Sequence, residues 1–269
     1  MESFGILVLS IWIAMLEFLK YIFFRTGLLA MPFLPVSLFV RASSIDSKNS
    51  NLADNSPSSV TKVLPGTPSS PAAIKALIPD IEIIALASPL VENPAEYIAR
   101  FPTLGVVSLN PTLLQPKSRG SVRLSSTNPF GKPKIDLGYF SDSADFVVAR
   151  KAVRLALKLA GTMKAQGFPI LRAHDVPEDP ENDDNVDEFI RRKLRTVYHY
   201  TSTCRMAKED DLCPGVVDDE LRVHGLGNLR VADASVFPNV LATHMQAPTV
   251  MVAERCADFI RREWAKAAI

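Results

Sequence analysis

Two histidines stand in surroundings that suit acid–base chemistry. The chain has 269 residues and four histidines. His199 lies in the polar run YHYTSTCRMA, and His244 lies in LATHMQAPTV, directly before a Pro-Thr pair. An imidazole titrates near neutrality, so either ring can take or give a proton at physiological pH. Taken singly, each is more readily explained as a structural histidine, and neither has a metal-ligand spacing to a second His, Cys or carboxylate, so no metal site is predicted.

A carboxylate followed by small residues marks a second candidate point for ligand binding. Apolar residues at strand-like spacing run from Leu221 to Val231, and Asp233 and Ala234 follow. A carboxylate at the end of a strand can accept hydrogen bonds from a ligand's hydroxyl or from nearby backbone amides. Asp and Ser also favour turns, so a strand-terminating turn is the alternative interpretation.

The last helix is predicted to start beside His244. Ala247-Pro248-Thr249 opens it, because proline suits a first helical turn and threonine is a capable N-cap. The free N–H groups and the positive end of the helix dipole then lie within a few residues of His244. A bound ring that carries negative charge gains about 0.3–2 kcal/mol from such a position.

The elements that must hold these residues are mixed. Short apolar runs bounded by Pro- and Gly-bearing turns predict strands. Apolar residues at helical spacing, in one case after Asp and Ser capping residues, predict helices. The predicted strands are 81–87, 106–109, 121–125 and 135–139, and the predicted helices are 143–163, 189–197 and 249–265. This order predicts an α+β fold with an antiparallel sheet flanked by helices.

Two polar stretches interrupt these elements. Residues 41–73 are rich in Ser, Asn and Pro, and are predicted to form a flexible loop. Residues 178–188 (EDPENDDNVDE) are acidic but lack the central Gly of a calcium loop. A solvated surface loop is therefore predicted there rather than a cation site.

The first forty residues are largely apolar. Residues 4–16 are uncharged, but this run is shorter than the ~18–20 residues that span a bilayer. No basic residue precedes it, as a secretory signal would require. We predict a buried or partner-facing helical segment over residues 1–40, with membrane contact through residues 4–24, or a signal segment, as the less favoured alternative.

Charge and cysteine content exclude several classes of function. Thirty basic and 29 acidic residues give a net charge of +1, which favours neither a nucleic acid nor an anionic membrane surface. Three cysteines cannot build a disulfide framework, and no Asn-x-Ser/Thr site without an intervening proline occurs. We expect a chain of a reducing compartment, cytoplasmic rather than secreted, with no nucleic-acid partner.

Three stretches resemble, in order and spacing, a known family signature. HYTSTCRM, GVVDDELRVHGLGNLRVADASVFP and ATHMQAPTVMVAERCADFI resemble the C-terminal part of the glucose–methanol–choline (GMC) oxidoreductases, which are FAD-dependent alcohol oxidoreductases. The segment SLNPTLLQPKSRGSVRLSSTNPFGKPKIDLGYF is similar to their substrate-domain sheet. The resemblance implies a substrate domain at 74–197 and an active-site and flavin-contacting segment at 198–269. Its strands and helix would belong to an incomplete FAD-binding domain.

The resemblance also implies roles for single residues. His199 matches the family's active-site base, and His244 matches the second position that hydrogen-bonds the same substrate oxygen. Asp233 and Ala234 match a segment that contacts the ribityl and pyrophosphate part of FAD. Gln246 matches a position whose backbone approaches the isoalloxazine ring. The implied cofactor is FAD, and the implied substrate is a small-molecule alcohol.

The chain has no G-x-G-x-x-G phosphate loop, and the resemblance covers only the later half of a family member. We therefore expect a truncated member in which FAD binding by the chain alone is weakened. The alternatives are a non-catalytic remnant of the family and a subunit that depends on a partner chain or on self-association.

Overall fold

A computed structural model describes residues 11–26, 36–46, 77–87, 106–170 and 172–267 of the chain. Within these ranges the structure is α+β, as predicted, with its strands in two antiparallel sheets. The helices are α1 (Ile11–Phe24), α2 (Ala144–Ala165), α3 (Asp183–Lys193) and α4 (Gln246–Ala267). The strands are β1 (Val36–Val40), β2 (Ile81–Leu86), β3 (Ser108–Leu113), β4 (Ser121–Arg123) and β5 (Lys134–Asp136).

The central sheet has the strand order β1-β2-β3, with β2 in the middle. The sequence of β2, IEIIAL, is rich in β-branched residues and is buried along most of its length. Because side chains alternate along a strand, Ile81 and Ile83 face one side of the sheet, while Glu82 and Ile84 face the other. Two different environments are thus set by one short strand.

Helix α2 covers the face of the sheet that carries Ile81 and Ile83. Ala152, Leu155 and Ala156 of α2 pack in one buried cluster with these two isoleucines. The small alanine side chains let the helix approach the sheet closely. Because side chains alternate along β2, Glu82 lies on the face of the sheet away from α2.

The start of α2 is held by a buried carboxylate. Asp145 is 4% exposed and accepts hydrogen bonds from the backbone amides of Lys117 at 2.8 Å and Ser118 at 2.9 Å. This pair of bonds attaches the chain after β3 to the first turn of α2.

Helix α3 starts earlier than the sequence predicted. The predicted acidic loop over 178–188 is wrong from Asp183 onward, because Asn182 caps the helix and its side chain accepts from the amides of Asp184 and Asn185. Acidic residues in the first turn and basic residues in the last turn both match the helix dipole. From Asp183 onward, the acidic residues that have the composition of a solvated loop form the first turns of a helix, where their charges match the helix dipole.

The N-terminal third also differs from the prediction at two places. Residues 36–40 were placed in the helical segment, but they form the strand β1, because VSLFV is β-branched and aromatic and pairs along β2. Ala42 and Ile45, at the start of the predicted flexible loop, are buried in the core beside β1. Residues 1–10, 27–35 and 47–73 lie outside the described residues.

Helix α1 is 14 residues long. Over the described ranges, no helix has the length and apolar character needed to cross a membrane.

A second cluster of buried residues lies toward the C-terminus. Val217, Leu221 and Val236 pack there against Val252 and Cys256 of α4. The predicted strand-like run from Leu221 to Val231 forms isolated bridges rather than continuous strands. Positive φ angles at Leu221, Gly225 and Asn228 interrupt the extended backbone.

Candidate active site

His199 lies in an irregular segment that follows α3. Tyr198 and Ser202 on either side of it have φ angles of +61° and +72°, a region that residues with a Cβ rarely adopt. Each such residue costs on the order of 1–3 kcal/mol, so the surroundings must hold this backbone in place. One local bond does so, because the Oγ1 atom of Thr196 accepts from the Tyr198 amide at 2.9 Å.

Backbone hydrogen bonds connect the His199 segment to the segment that contains Asp233. The amide of Cys204 donates to the carbonyl of Ser235 at 3.1 Å, and the amide of Met206 donates to that of Val236 at 2.7 Å. Two predicted regions that are far apart in the chain are therefore adjacent in the fold.

His244 lies in the loop that precedes α4, and this loop is tied to the chain that follows β3. Gln115 Nε2 donates to the carbonyl of Val240 at 2.9 Å, and the guanidinium group of Arg119 donates to Asn239 Oδ1 at 2.7 Å. Met245, the residue after His244, is buried in the C-terminal cluster and anchors the end of the loop there. These contacts hold the loop, and with it His244, through residues that lie outside α4.

The fold brings the two predicted histidines together. His199 Nε2 lies 2.9 Å from His244 Nδ1, although the residues are 45 positions apart in the chain. The rings meet edge to face at an interplanar angle of 84°. A hydrogen bond between two neutral imidazoles needs one N–H donor and one lone pair, so one ring donates and the other accepts.

A buried carboxylate that sequence reasoning missed lies behind this pair. Glu82 is 2% exposed, and its Oε1 atom is 3.3 Å from Nε2 of His244. The direction does not meet hydrogen-bond geometry, and Oε1 has no hydrogen-bond partner among the described residues. A charged residue in the middle of the apolar run IEIIAL was the signal that could have drawn attention to it, because buried carboxylates are rare without a partner.

The surroundings favour the neutral form of His199. Burial lowers the pKa of His199 below 6.5, and the adjacent His244 lowers it further. A backbone hydrogen bond to Tyr198 and the charge of Glu82 act in the opposite direction but are weaker. A neutral imidazole is the form that can accept a proton.

The residues matched to flavin contacts lie at the surface of the same region. Asp233 is exposed, and its Oδ1 atom accepts from the Ser235 amide at 2.8 Å. Ala234 is half-buried and starts a short 3-10 helix. Gln246 is exposed and is the first residue of α4, two residues after His244.

Helix α4 begins at Gln246, three residues before the predicted start. Thr249 was predicted as a cap, but its hydroxyl donates to the carbonyl of Met245 at 2.7 Å, from a position inside the first turn. The amides of Gln246 and Ala247 therefore occupy the positive end of the helix.

Among the described residues no group of His, Cys, Asp or Glu could hold a metal ion.

Comparison with known proteins identifies the family. A family model described as GMC oxidoreductase matches residues 116–253, which is just over half of the 269 residues. The chain belongs to the GMC oxidoreductase family.

Similar GMC proteins extend the match beyond this range. An oxygen-dependent choline dehydrogenase of Vibrio vulnificus is 38% identical over 149 residues, which is 54% of this chain and 26% of that protein. An uncharacterized GMC-type oxidoreductase of Mycobacterium tuberculosis is 35% identical over 190 residues, 68% of this chain and 34% of that protein.

A solved structure of an arginine variant of formate oxidase from Aspergillus oryzae RIB40, studied for FAD modification, has a similar fold. It matches with a TM-score of 0.70 and 26% identity over 96% of this chain and 43% of the other. The chain thus spans less than half the length of each of these relatives.

Proposed function

We propose that this chain carries the proton-transfer side of an FAD-dependent alcohol oxidoreductase site. The observation that supports the proposal is the 2.9 Å contact between His199 Nε2 and His244 Nδ1, in a fold that belongs to the GMC family. His199 acts as the base that takes the hydroxyl proton of an alcohol. His244 hydrogen-bonds the same oxygen.

The geometry of the pair suits this division of work. The lowered pKa of His199 keeps its ring neutral near pH 7, so its lone pair is ready to accept a proton. A substrate hydroxyl takes the place of the direct contact between the rings, donating to His199 Nε2 while its oxygen accepts from His244. The charge of Glu82, behind His244, favours the protonated form of His199 that follows proton transfer.

The exposed residues of the same region suit one side of a flavin nucleotide. Asp233 offers a carboxylate to ligand hydroxyls, and the nearby Ser235 Oγ is a buried polar atom without a hydrogen-bond partner in the described structure. The first amides of α4 suit a ring that becomes negative. Asp233, Ala234 and Gln246 would hold FAD, which when bound supplies the acceptor for the hydrogen and electron pair on the carbinol carbon.

The named relatives act on different substrates, so they support the reaction class and not one alcohol. One is named as a choline dehydrogenase and another as a formate oxidase. The substrate proposed here is therefore a small alcohol whose hydroxyl reaches between His199 and His244.

Flavin binding and activity of the purified chain test the proposal. After incubation with FAD and removal of free cofactor, we expect retained visible flavin absorption and bleaching by alcohols from a screened panel. In His199→Gln the bleaching rate is expected to fall by about 10²–10⁴-fold, the usual contribution of a general base. The exposed His174 serves as a matched control, and His174→Gln is expected to keep the parent rate.

The flavin-binding experiment also distinguishes this function from a second candidate. The second candidate function is a subunit that holds FAD only with a partner chain, and the exposure of Asp233 and Gln246, two of the residues matched to flavin contacts, favours it. A chain that retains no flavin alone, but does so when the N-terminal remainder of a GMC relative is supplied, would establish that role. A chain that retains none in either experiment is a non-catalytic remnant.

A further inference from the structure

The loop that carries His244 runs between two buried residues of the C-terminal cluster. Phe237 precedes the loop and Met245 ends it, and both are buried in that cluster. Between these ends Asn239 is exposed, and Leu241 is only partly buried. Contacts that another element makes to the middle of this His244 loop therefore bear directly on where the imidazole lies.

Gln115 and Arg119, on the segment between β3 and β4, make contacts of this kind. Gln115 Nε2 donates to the carbonyl of Val240 at 2.9 Å. The guanidinium group of Arg119 donates to Asn239 Oδ1 at 2.7 Å. Two adjacent residues of the loop are thus bonded to side chains that lie 120 and 125 positions earlier in the chain.

The segment that carries both donors is itself fixed to the sheet and to α2. Leu114 is buried, and its amide donates to the carbonyl of the residue before β2 at 2.9 Å. The amides of Lys117 and Ser118 donate to the buried carboxylate of Asp145 in the first turn of α2. The two donors therefore reach the His244 loop from a support outside the C-terminal cluster.

The ring of His244 needs such a support because it lies between partners from different parts of the fold. Its Nε2 atom is 3.3 Å from Glu82 Oε1 on β2, and its Nδ1 atom is 2.9 Å from His199 Nε2. A hydrogen bond holds only over a narrow range of distance and angle. Even a small movement of the loop would therefore break the contact between the two imidazoles.

We propose that Gln115 and Arg119 are positioning residues for His244, because together they hold the middle of its loop. Through the two loop residues that they bond, they keep the ring within hydrogen-bond distance of His199. The inference rests on the proposed function, since it assigns both side chains to the placement of the ring that hydrogen-bonds the substrate oxygen.

NMR of the histidine rings in the full-length chain tests this role. In Gln115→Met/Arg119→Met both side chains stay unbranched and lose their donors, so we expect loss of the nuclear Overhauser effect between the rings of His199 and His244. Burial and, after it, the adjacent His244 lower the pKa of His199, so a displaced His244 lets this pKa rise toward 6.5. The urea unfolding midpoint is expected to stay near the parent value, since both substituted residues are exposed.

Single variants separate positioning from a general loss of structure. Arg119→Lys keeps a cationic donor and is expected to retain the ring contact that Arg119→Met weakens. Arg119→Met combined with Asn239→Ala should weaken the contact no more than either change alone, because both break the same bond. The matched control is Arg123→Met, at an exposed residue of β4, which is expected to leave the ring contact and the pKa of His199 at the parent values.

An unchanged ring contact and an unchanged pKa of His199 in Gln115→Met/Arg119→Met would overturn the proposal, and so would equal effects of Arg119→Lys and Arg119→Met. If the double variant does not fold, Gln115→Met and Arg119→Met are measured singly, with the same two outcomes. These measurements need neither flavin nor alcohol. A lost ring contact in a chain that never oxidises alcohols would overturn the proposed function alone, whereas a retained contact in an active chain would overturn only the positioning role.

Discussion

At the scale of single residues, the candidate site is a line of three titratable side chains. Glu82 lies on the sheet, His244 lies on the loop before α4, and His199 follows α3. The carboxylate touches only the middle residue, but its charge raises the pKa of His199 against the stronger opposing effects of burial and His244. A change at Glu82 should therefore alter the pKa of His199, although the two side chains are not in contact.

Replacing Glu82 by glutamine tests this long-range effect. Glu82→Gln keeps the volume and removes the charge, so we expect the pKa of His199 to fall below its parent value, as measured by NMR titration of the imidazole. The rise of any alcohol oxidation with pH is expected to begin at lower pH in this variant.

The same change has a defined consequence for stability. His199 already has a folded-state pKa below 6.5, so the unfolded chain binds more protons and stability falls as pH drops through 6.5 toward the folded-state value. A lower folded-state pKa in Glu82→Gln extends this loss to lower pH. Glu254→Gln, an exposed change on α4, is the matched control, and an unchanged or higher His199 pKa in Glu82→Gln would contradict the expected coupling.

At the scale of elements, the site depends on where helices start. Helix α3 precedes the His199 segment in the chain. The side chain of Asn182 caps its first turn by accepting from the amides of Asp184 and Asn185. Its apolar face, with Val186 and Ile190, packs against α2. A correct start for α3 therefore sets the register of the residues that follow it.

Removing the cap tests its contribution. In Asn182→Ala two amides lose their acceptor, so we expect the free energy of unfolding to fall by about 1 kcal/mol in urea denaturation. Asn182→Asp keeps an acceptor oxygen and is expected to stay near the parent value. Glu188→Ala, on the exposed side of the same helix, is the control; equal losses in the two alanine variants would show that capping is not the cause.

At the scale of the whole molecule, α1 presents a broad apolar surface. Large apolar side chains that are exposed on it are Met15, Leu16, Phe18, Leu19, Tyr21, Ile22, Phe23 and Phe24. Phe23 and Phe24 are 70% and 73% exposed. Contiguous exposed apolar patches are uncommon on soluble monomers and mark interaction surfaces, which is why we expect the isolated chain to self-associate.

Sedimentation velocity over a range of concentrations tests this expectation. The parent chain should show a sedimentation coefficient that rises with concentration, and the double variant Phe23→Ser/Phe24→Ser should show a weaker rise. The control is Leu212→Ser, which removes a fully exposed leucine from a loop elsewhere and should behave as the parent. If the double variant associates as strongly as the parent, α1 is not the contact surface.

Much of the fold was predictable because its signals are local. The α+β class, the strand at 81–87 and the helix that became α2 follow from apolar spacing and turn residues within a few positions. Boundaries were less certain where two local signals compete. The acidic run before α3 has the composition of a loop, yet Asn182 can cap a helix inside it, and VSLFV follows a helical apolar run although it pairs as a strand.

The sequence by itself determined the family and the identity of the two histidines, because motif order and residue type are properties of the chain alone. Their predicted catalytic roles, and the flavin contacts of Asp233, Ala234 and Gln246, stay predictions. Only the tertiary structure decided that His199 and His244 lie 2.9 Å apart and that Glu82 stands behind them. Alternation along β2 shows that Glu82 and Ile81 face opposite sides, but it cannot show which distant loop packs on each side, since that depends on contacts between segments far apart in the chain.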